Sequence, residues 1–335
     1  MKLKKYLPSI FAVLLVIAVF VPITLSSGCA RAKDCPVVVS QTDGVVVTRL
    51  QPSYNLIPVG DEVILTAEVQ NKGNAVANNV KAYVWSKPGF EMLNKDPIKY
   101  GKDLGGEKDD FNPTLAPPRL DICSSGDANA IQWGLKAGCD PRESVLAIAI
   151  EYDYTSDGWA SILLVSGDEA AKSGGEFKFR EKGENHPSAG PNTVSLEPLQ
   201  NEPVIVSPTA ASFDVRAKIK DLGKGVAGEG GTGEVGKITI TTDDPCKFIP
   251  TKTQKVEPDG SIILTGDTAV VLSVSKQESF KILKMEFDFA NYPELARDLC
   301  RINVKAEYHY RELEAVKEKM GITGTTSQIE ECRNP

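Results

Sequence analysis

Histidine is nearly absent: the chain of 335 residues carries only His186 and His309. None of its seven cysteines falls in a C-x-x-C pair, so a structural zinc site of Cys and His ligands is not expected. Acceptor sites for N-glycosylation are missing too, because the N-x-T at Asn112 has Pro113 in its middle. Basic charge is in deficit. A formal net charge of −7 argues against nucleic acid as a partner, since phosphates need a basic face. Helical patterning is scarce; beyond the first residues the best helical candidate is Glu312 to Met320, ELEAVKEKM.

What the chain has is an export signature. It opens MKLKKYLPSIFAVLLVIAVFVPITLSSGC, with Lys2, Lys4 and Lys5 before an uncharged apolar run from Tyr6 to Leu25 and then small residues leading to Cys29. This order predicts a secretory signal or a membrane anchor over residues 1–28, in a run just long enough to span a bilayer. Three fates follow: release after cleavage, lipidation of Cys29, or retention as an anchor helix with its basic end inside. The SSGC stretch resembles a lipobox, departing from it at Ser26, where an aliphatic residue is preferred. Export places the cysteines where disulfides persist. With Cys29 set aside, six remain, and their spacing suggests Cys123 with Cys139, Cys246 with Cys300, and Cys35 with Cys332.

The chain is written twice. LQPSYNLIPVGDEVILTAEVQNKGNAVA from Leu50 aligns with LQNEPVIVSPTAASFDVRAKIKDLGKGVA from Leu199, matching Gly73 to Gly223. A second anchor matches VLAIAIEYDY, ending at Tyr154, to CRINVKAEYHY, ending at Tyr310, so that Tyr152 and Tyr154 answer to Tyr308 and Tyr310. Both anchors alternate with period two. Val63, Leu65, Ala67 and Val69 share one face, as do Phe213, Val215, Ala217 and Ile219, which is the mark of half-buried strands. Many short alternating runs punctuated by proline and glycine suggest an all-β chain of two tandem Ig-like β-sandwiches. The boundaries expected are 36–166 for the first domain, 167–191 for a linker or exposed loop, 192–321 for the second domain and 322–335 for a C-terminal tail.

One segment points to a family. GDEVILTAEVQNKGNAVANNVKAYVW, Gly60 to Trp85, resembles the cell-adhesion-related (CARDB) domains of archaeal and bacterial surface proteins. The family pattern of a strand, N-x-G-x-x-x-A-x-N-V and a second strand is filled here by Asn71, Gly73, Ala77, Asn79 and Val80. The second half keeps the glycine but has Asp221 for the asparagine and lacks the N-V pair. The resemblance implies an Ig-like sandwich in an envelope protein without catalysis, and names no ligand.

The stretch LGKGVAGEGGTGEVGK, Leu222 to Lys237, carries a G-x-G-x-x-G at Gly223, Gly225 and Gly228 and most of a phosphate loop from Gly231 to Lys237. A dinucleotide fingerprint must open a helix, and a phosphate loop needs Ser or Thr after its lysine. Here Ile238 follows and a β-branched run begins, so a hairpin tip is expected and no cofactor. The glycine matched at Gly73 and Gly223 is expected to serve a positive φ in a turn. A catalytic triad would have to use His309, predicted to point outward between tyrosines, or His186 in the linker; no catalytic residue is assigned. The acidic loops Gly106 to Phe111 and Thr241 to Cys246 could offer oxygen ligands to calcium but read as solvated, and no metal ligand is assigned. The four matched tyrosines close the core in one reading and form a contact stripe in the other; Trp85 and Trp159 are candidate contact aromatics. The expected function is that of a non-enzymatic, membrane-anchored or secreted envelope protein acting in adhesion, surface assembly or docking of envelope partners. The alternative is a solute-binding or transport-accessory lipoprotein.

Overall fold

The structure, a computed structural model, describes residues 36–94, 99–101, 114–172, 183–207, 211–243, 245–272, 276–287 and 297–334. The leader, Cys29, Cys35, the Gly106–Phe111 loop and residues 173–182 of the expected linker lie outside them. The described residues divide into two units, one that includes Arg119–Ser124 and a larger one from Val38 to Pro118 and from Ser125 onward. In the first, Arg119 and Ser124 exchange backbone hydrogen bonds of 2.8 and 3.0 Å around an Arg119–Asp121 ion pair, and Cys123 is disulfide-bonded. Among the described residues the sheets all lie in the second unit.

The period-two segments form strands with one buried face. In β3 (Glu62–Asn71) Val63, Leu65, Ala67 and Val69 are buried. The repeat places Phe213, Val215, Ala217 and Ile219 the same way in β13 (Ser212–Asp221). Each is the middle of an antiparallel sheet. One runs β1 (Val45–Pro52), β3, β7 (Ala128–Ala137) and β5 (Phe90–Met92), with β6 (Lys99–Gly101) also on β7. The other runs β11 (Asn192–Pro198), β13, β20 (Glu278–Glu286) and β17 (Lys247–Phe248).

A third, larger sheet draws strands from both halves of the sequence. Its centre is β9 (Ala147–Ser166) against β21 (Arg297–Ala315), antiparallel along nearly their whole length. On the far side of β9 lie β4 (Ala77–Ser86), β10 (Asn185–His186) and, in parallel, β12 (Val204–Val206). On the far side of β21 lie β14 (Val226–Ala227) and β16 (Lys237–Thr242), and β16 carries β18 (Ile262–Leu264). The inward side chains of all three sheets merge in one apolar cluster. Small sheets complete the unit: β15 (Glu234–Val235) with β19 (Val270–Val271), and β2 (Leu56–Pro58) with β22 (Met320–Thr323) and β8 (Arg142–Ser144).

The register of β9 on β21 makes the duplication visible. Tyr152 faces Tyr310, Tyr154 faces Tyr308, and Asp153 faces His309. Matched residues are exchanged about the Asp153–His309 position, so the two repeats meet there around a local two-fold axis.

Several expectations need correction. Glu312–Ala315 extends β21 instead of opening a helix, because pairing with β9 outweighs local helix propensity. The expected linker begins with helix α1 (Gly167–Lys172) and later adds β10 to the sheet. The expected tail enters β22, then helix α2 (Thr326–Arg333), whose Cys332 bonds to Cys139. The expected Cys123–Cys139 and Cys35–Cys332 pairs are therefore not formed; the docking of helix α2 beside Cys139 decides this, and sequence spacing does not report it. Cys246 and Cys300 are bonded to each other. Among the described residues no helix is long and apolar enough to cross a membrane.

Candidate functional site

The axis between the repeats has a buried face and an open one. On the buried face the four tyrosines form a closed ring. Tyr152 and Tyr310 have centroids 5.8 Å apart and Tyr154 and Tyr308 5.9 Å. Along the strands Tyr152 meets Tyr154 at 6.1 Å and Tyr308 meets Tyr310 at 6.4 Å, near edge-on. All four are at most 4 % exposed, which settles them as core. Burial drives the hydroxyl pKa of Tyr308 and Tyr310 far up.

Two of these hydroxyls lock the matched turns. Tyr154 Oη accepts from Ala75 N–H at 3.0 Å, and Tyr310 Oη accepts from Gly225 N–H at 2.8 Å. Inside each turn Gly73 N–H donates to Asn71 Oδ1 and Gly223 N–H to Asp221 Oδ1, at 3.0 and 3.1 Å. A Cβ on Gly73 would sit 2.1 Å from Tyr154 Oη, and one on Gly223 2.2 Å from Tyr310 Oη. Neither glycine has a positive φ. The glycine is required by the approach of a tyrosine, and the expected conformational reason is withdrawn.

On the open face Asp153 and His309 sit at the centre of a polar array. His309 Nδ1 lies 2.8 Å from Asp153 Oδ1, and its Nε2 is 3.9 Å from Glu151 Oε2. Asn79, left-handed at φ 51, donates to Asp153 Oδ2 at 2.6 Å. Burial pushes the Asp153 carboxyl up, but hydrogen bonds from Asn79 and His309 outweigh it and hold the pKa below the usual value. Tyr83 Oη donates to Glu151 Oε1 at 2.8 Å; burial first and that carboxylate second raise its pKa. Arg311 spans the array. Its guanidinium lies 4.0 Å over the Trp85 ring, its Nε is 4.0 Å from Glu151, and it donates to the Gly230 carbonyl at 2.9 Å. Trp85 remains 51 % exposed. A fixed cation against a half-exposed indole is a preformed contact feature.

Farther along the same face Trp159 is stacked with His186 at 4.2 Å and covered by Arg301 at 4.6 Å. His186 is exposed, with Glu184 3.4 Å away. The two histidines thus belong to different clusters. Sequence alternation places His309 outward; its carboxylate partners arrive through strand register, which only the Asp153–His309 match could have suggested.

The glycine loop folds into β14, a 3-10 turn Glu229–Gly231 and β15, and Lys237 opens strand β16. The expected hairpin tip needs correction: β14 pairs with β21 and β15 with β19, so the two strands that flank the turn are not paired with each other. The loop does wall a cavity of about 420 Å³ with Asp221, Lys224, Gln277, Arg311 and Leu313.

No protein-family model matches the chain, and no characterised protein matches it in sequence. Solved structures with related outlines include the secreted serine protease VesC from Vibrio cholerae, at 8% identity and TM-score 0.21 over 83% of this chain. The chain spans only about half of that protein, 52%. The Enterococcus faecalis MSCRAMM ACE, which binds its ligands by the collagen hug model, is similar at 8% identity and TM-score 0.19, over 85% of this chain and 97% of its own. The type II cohesin dyad from the adaptor ScaA scaffoldin of Acetivibrio cellulolyticus follows at 9% identity and TM-score 0.18, over 82% and 88%. Scores this low do not establish a shared fold.

Proposed function

We propose that the protein is an exported, non-enzymatic component of the cell envelope, in which two Ig-like sandwiches fused through one sheet hold a contact face for adhesion, surface assembly or docking of envelope partners. The observation that carries this reading is the Trp85–Arg311 stack, braced by Glu151 and Tyr83 and open to solvent. The Cys139–Cys332 and Cys246–Cys300 disulfides support an oxidising compartment. The CARDB-like motif supports the sandwich assignment, since its Asn71 and Gly73 build the turn under Tyr154. The N-terminal segment, retained or lipidated at Cys29, supplies attachment to the membrane. In intact cells a membrane-impermeant biotin reagent should label this protein and spare a cytoplasmic marker. A photo-crosslinking residue at position 85 should then give a discrete adduct that the same residue at Lys252 does not. Absence of surface labelling overturns the localisation, and equal crosslinking from both positions overturns the contact face.

A further inference from the structure

The two matched turns differ in what surrounds them. Asn71 N–H donates to the Asp127 carbonyl at 3.0 Å, and Asp221 N–H donates to the Gln277 carbonyl at 2.9 Å. The repeat thus sets Asp127 against Gln277 and Asn74 against Lys224. Through Tyr154 and Tyr310, each opposite a matched alanine, it sets Thr155 against Arg311.

In the first half the chain satisfies its own polar groups at this place. Asn74 Oδ1 accepts from Tyr154 Oη at 3.3 Å, and Asp127 Oδ2 accepts from Ala116 N–H at 3.0 Å. The stretch that brings Ala116 there is pinned by Leu115, which bridges Ala77 and accepts from Asn71 Nδ2 at 2.8 Å. In the second half Gly233 takes over the bond of Leu115, donating to the Ala227 carbonyl at 2.7 Å. Among the described residues nothing stands in for Ala116, and Lys224 and Gln277 line the cavity of about 420 Å³. Neither of their side-chain ends has a hydrogen-bond partner among the described residues; Lys224 acts on Glu312 through charge alone. Arg311 commits one N–H to the Gly230 carbonyl and faces Glu151 with Nε, which leaves donors over. The carboxylate in the wall, Asp221, already accepts from Tyr310 Oη at 3.0 Å and from Gly223 N–H at 3.1 Å.

Two cations and an amide therefore face one space, where the matched residues are Asn, Thr and Asp. Val226 and Leu313 are the only apolar side chains in the wall, so the buried slot that an anchoring peptide side chain needs is missing. The volume is that of a small-molecule site, and a carboxylate is the group a fixed guanidinium matches in both charge and shape. We propose that this cavity binds a carboxylate-bearing sugar unit of a polysaccharide, with the carboxylate on Arg311 and Lys224 and a hydroxyl on Gln277. The Trp85 ring holds the Arg311 guanidinium in place for it. This names the ligand class for the contact face proposed above and rests on that reading for where the polysaccharide is met.

The test titrates the full chain, isotope-labelled and oxidised, with tri-galacturonic acid, with its fully methyl-esterified form and with tri-glutamate. Saturable shifts are expected with the first at the amides of Lys224, Gln277, Arg311 and Leu313. Esterification removes the carboxylate charge and should weaken binding about tenfold or more, as loss of one charge-assisted hydrogen bond does. Lys224→Asn and Gln277→Asp copy residues that the first half carries at the matched places. Each should weaken binding of the acid about tenfold, with spectra otherwise unchanged. No saturable shift at millimolar trimer, equal binding of the ester, or binding untouched by both variants overturns the proposal. Equal or tighter binding of tri-glutamate overturns it in favour of an acidic peptide. Absence of trimer binding while surface labelling and the crosslink at position 85 persist rejects the saccharide alone, whereas trimer binding without surface labelling rejects the envelope reading alone.

Discussion

At the scale of the residue, Glu312 is the most consequential side chain that pattern alone would have misjudged. It occupies the inward position matched to Ser156, is 5% exposed and lies near Tyr152. Burial first, with Asp43 and Glu314 nearby and Lys224 opposing, raises its pKa from 4.5 to about 7. The folded-state pKa is above the unfolded one, so the protonated acid is favoured in the fold. The penalty is absent below about pH 4.5, grows as pH rises and is complete above about pH 7, costing up to about 3 kcal/mol. Glu312→Gln is expected to raise the melting temperature at pH 8 and to leave it almost unchanged at pH 4. Thermal unfolding of both proteins across pH 4–8 checks this; parallel curves would show that Glu312 does not titrate in that window.

Among the elements, β1 and β11 are matched strands that differ at a fully buried position. Val45 faces Asn71 in the first half, and Asn192 faces Asp221 in the second. Asn192 is fully buried and neither end of its side-chain amide has a hydrogen-bond partner. Buried amides without partners cost about 1–3 kcal/mol. Asn192→Val, copying the first half, should therefore stabilise by about 1–2 kcal/mol in denaturant unfolding; a loss of stability would mean that the amide is bound to buried water. The strands themselves were legible in the sequence, because β3, β13, β9 and β21 each bury alternate residues, and period two reports that directly. Less was legible at their ends. ELEAVKEKM has helical composition, and only the presence of β9 beside it makes Glu312–Ala315 a strand. The paired glycines were found by the repeat, but their reason was not, since the tyrosine that crowds each one comes from far along the chain. Trp85 was marked by the sequence as a candidate contact aromatic, but its pairing with Arg311 carries no sequence signal: it is made by register across β4, β9 and β21.

For the molecule as a whole, the repeat was readable but its consequence was not. Two matched halves suggest beads on a string, whereas β9 and β21 weave them into one sheet. Alternation reveals which face of a strand is buried and is silent about which strand lies alongside. The Cys139–Cys332 bridge closes a span of 193 residues and joins the strand-rich first half to the last helix. Chain-entropy reasoning gives such a closure about 5 kcal/mol. Replacing both cysteines by serine should lower the denaturant midpoint and expose α2 to protease, which limited proteolysis followed by mass measurement will register. An unchanged midpoint would mean that β22 and its neighbours hold the C-terminal region without the bridge.

The long ladder between β9 and β21 also sets a clock for biosynthesis. When Ser166 leaves the ribosome, the strand that will cover its whole inner edge has not been made. Roughly 150 more residues must follow, on the order of ten seconds of translation. Throughout that interval the longest of the described strands offers bare backbone along that edge to any neighbour. A nascent chain of this design cannot finish its first half and move on; it must be kept apart from its siblings until its second half arrives.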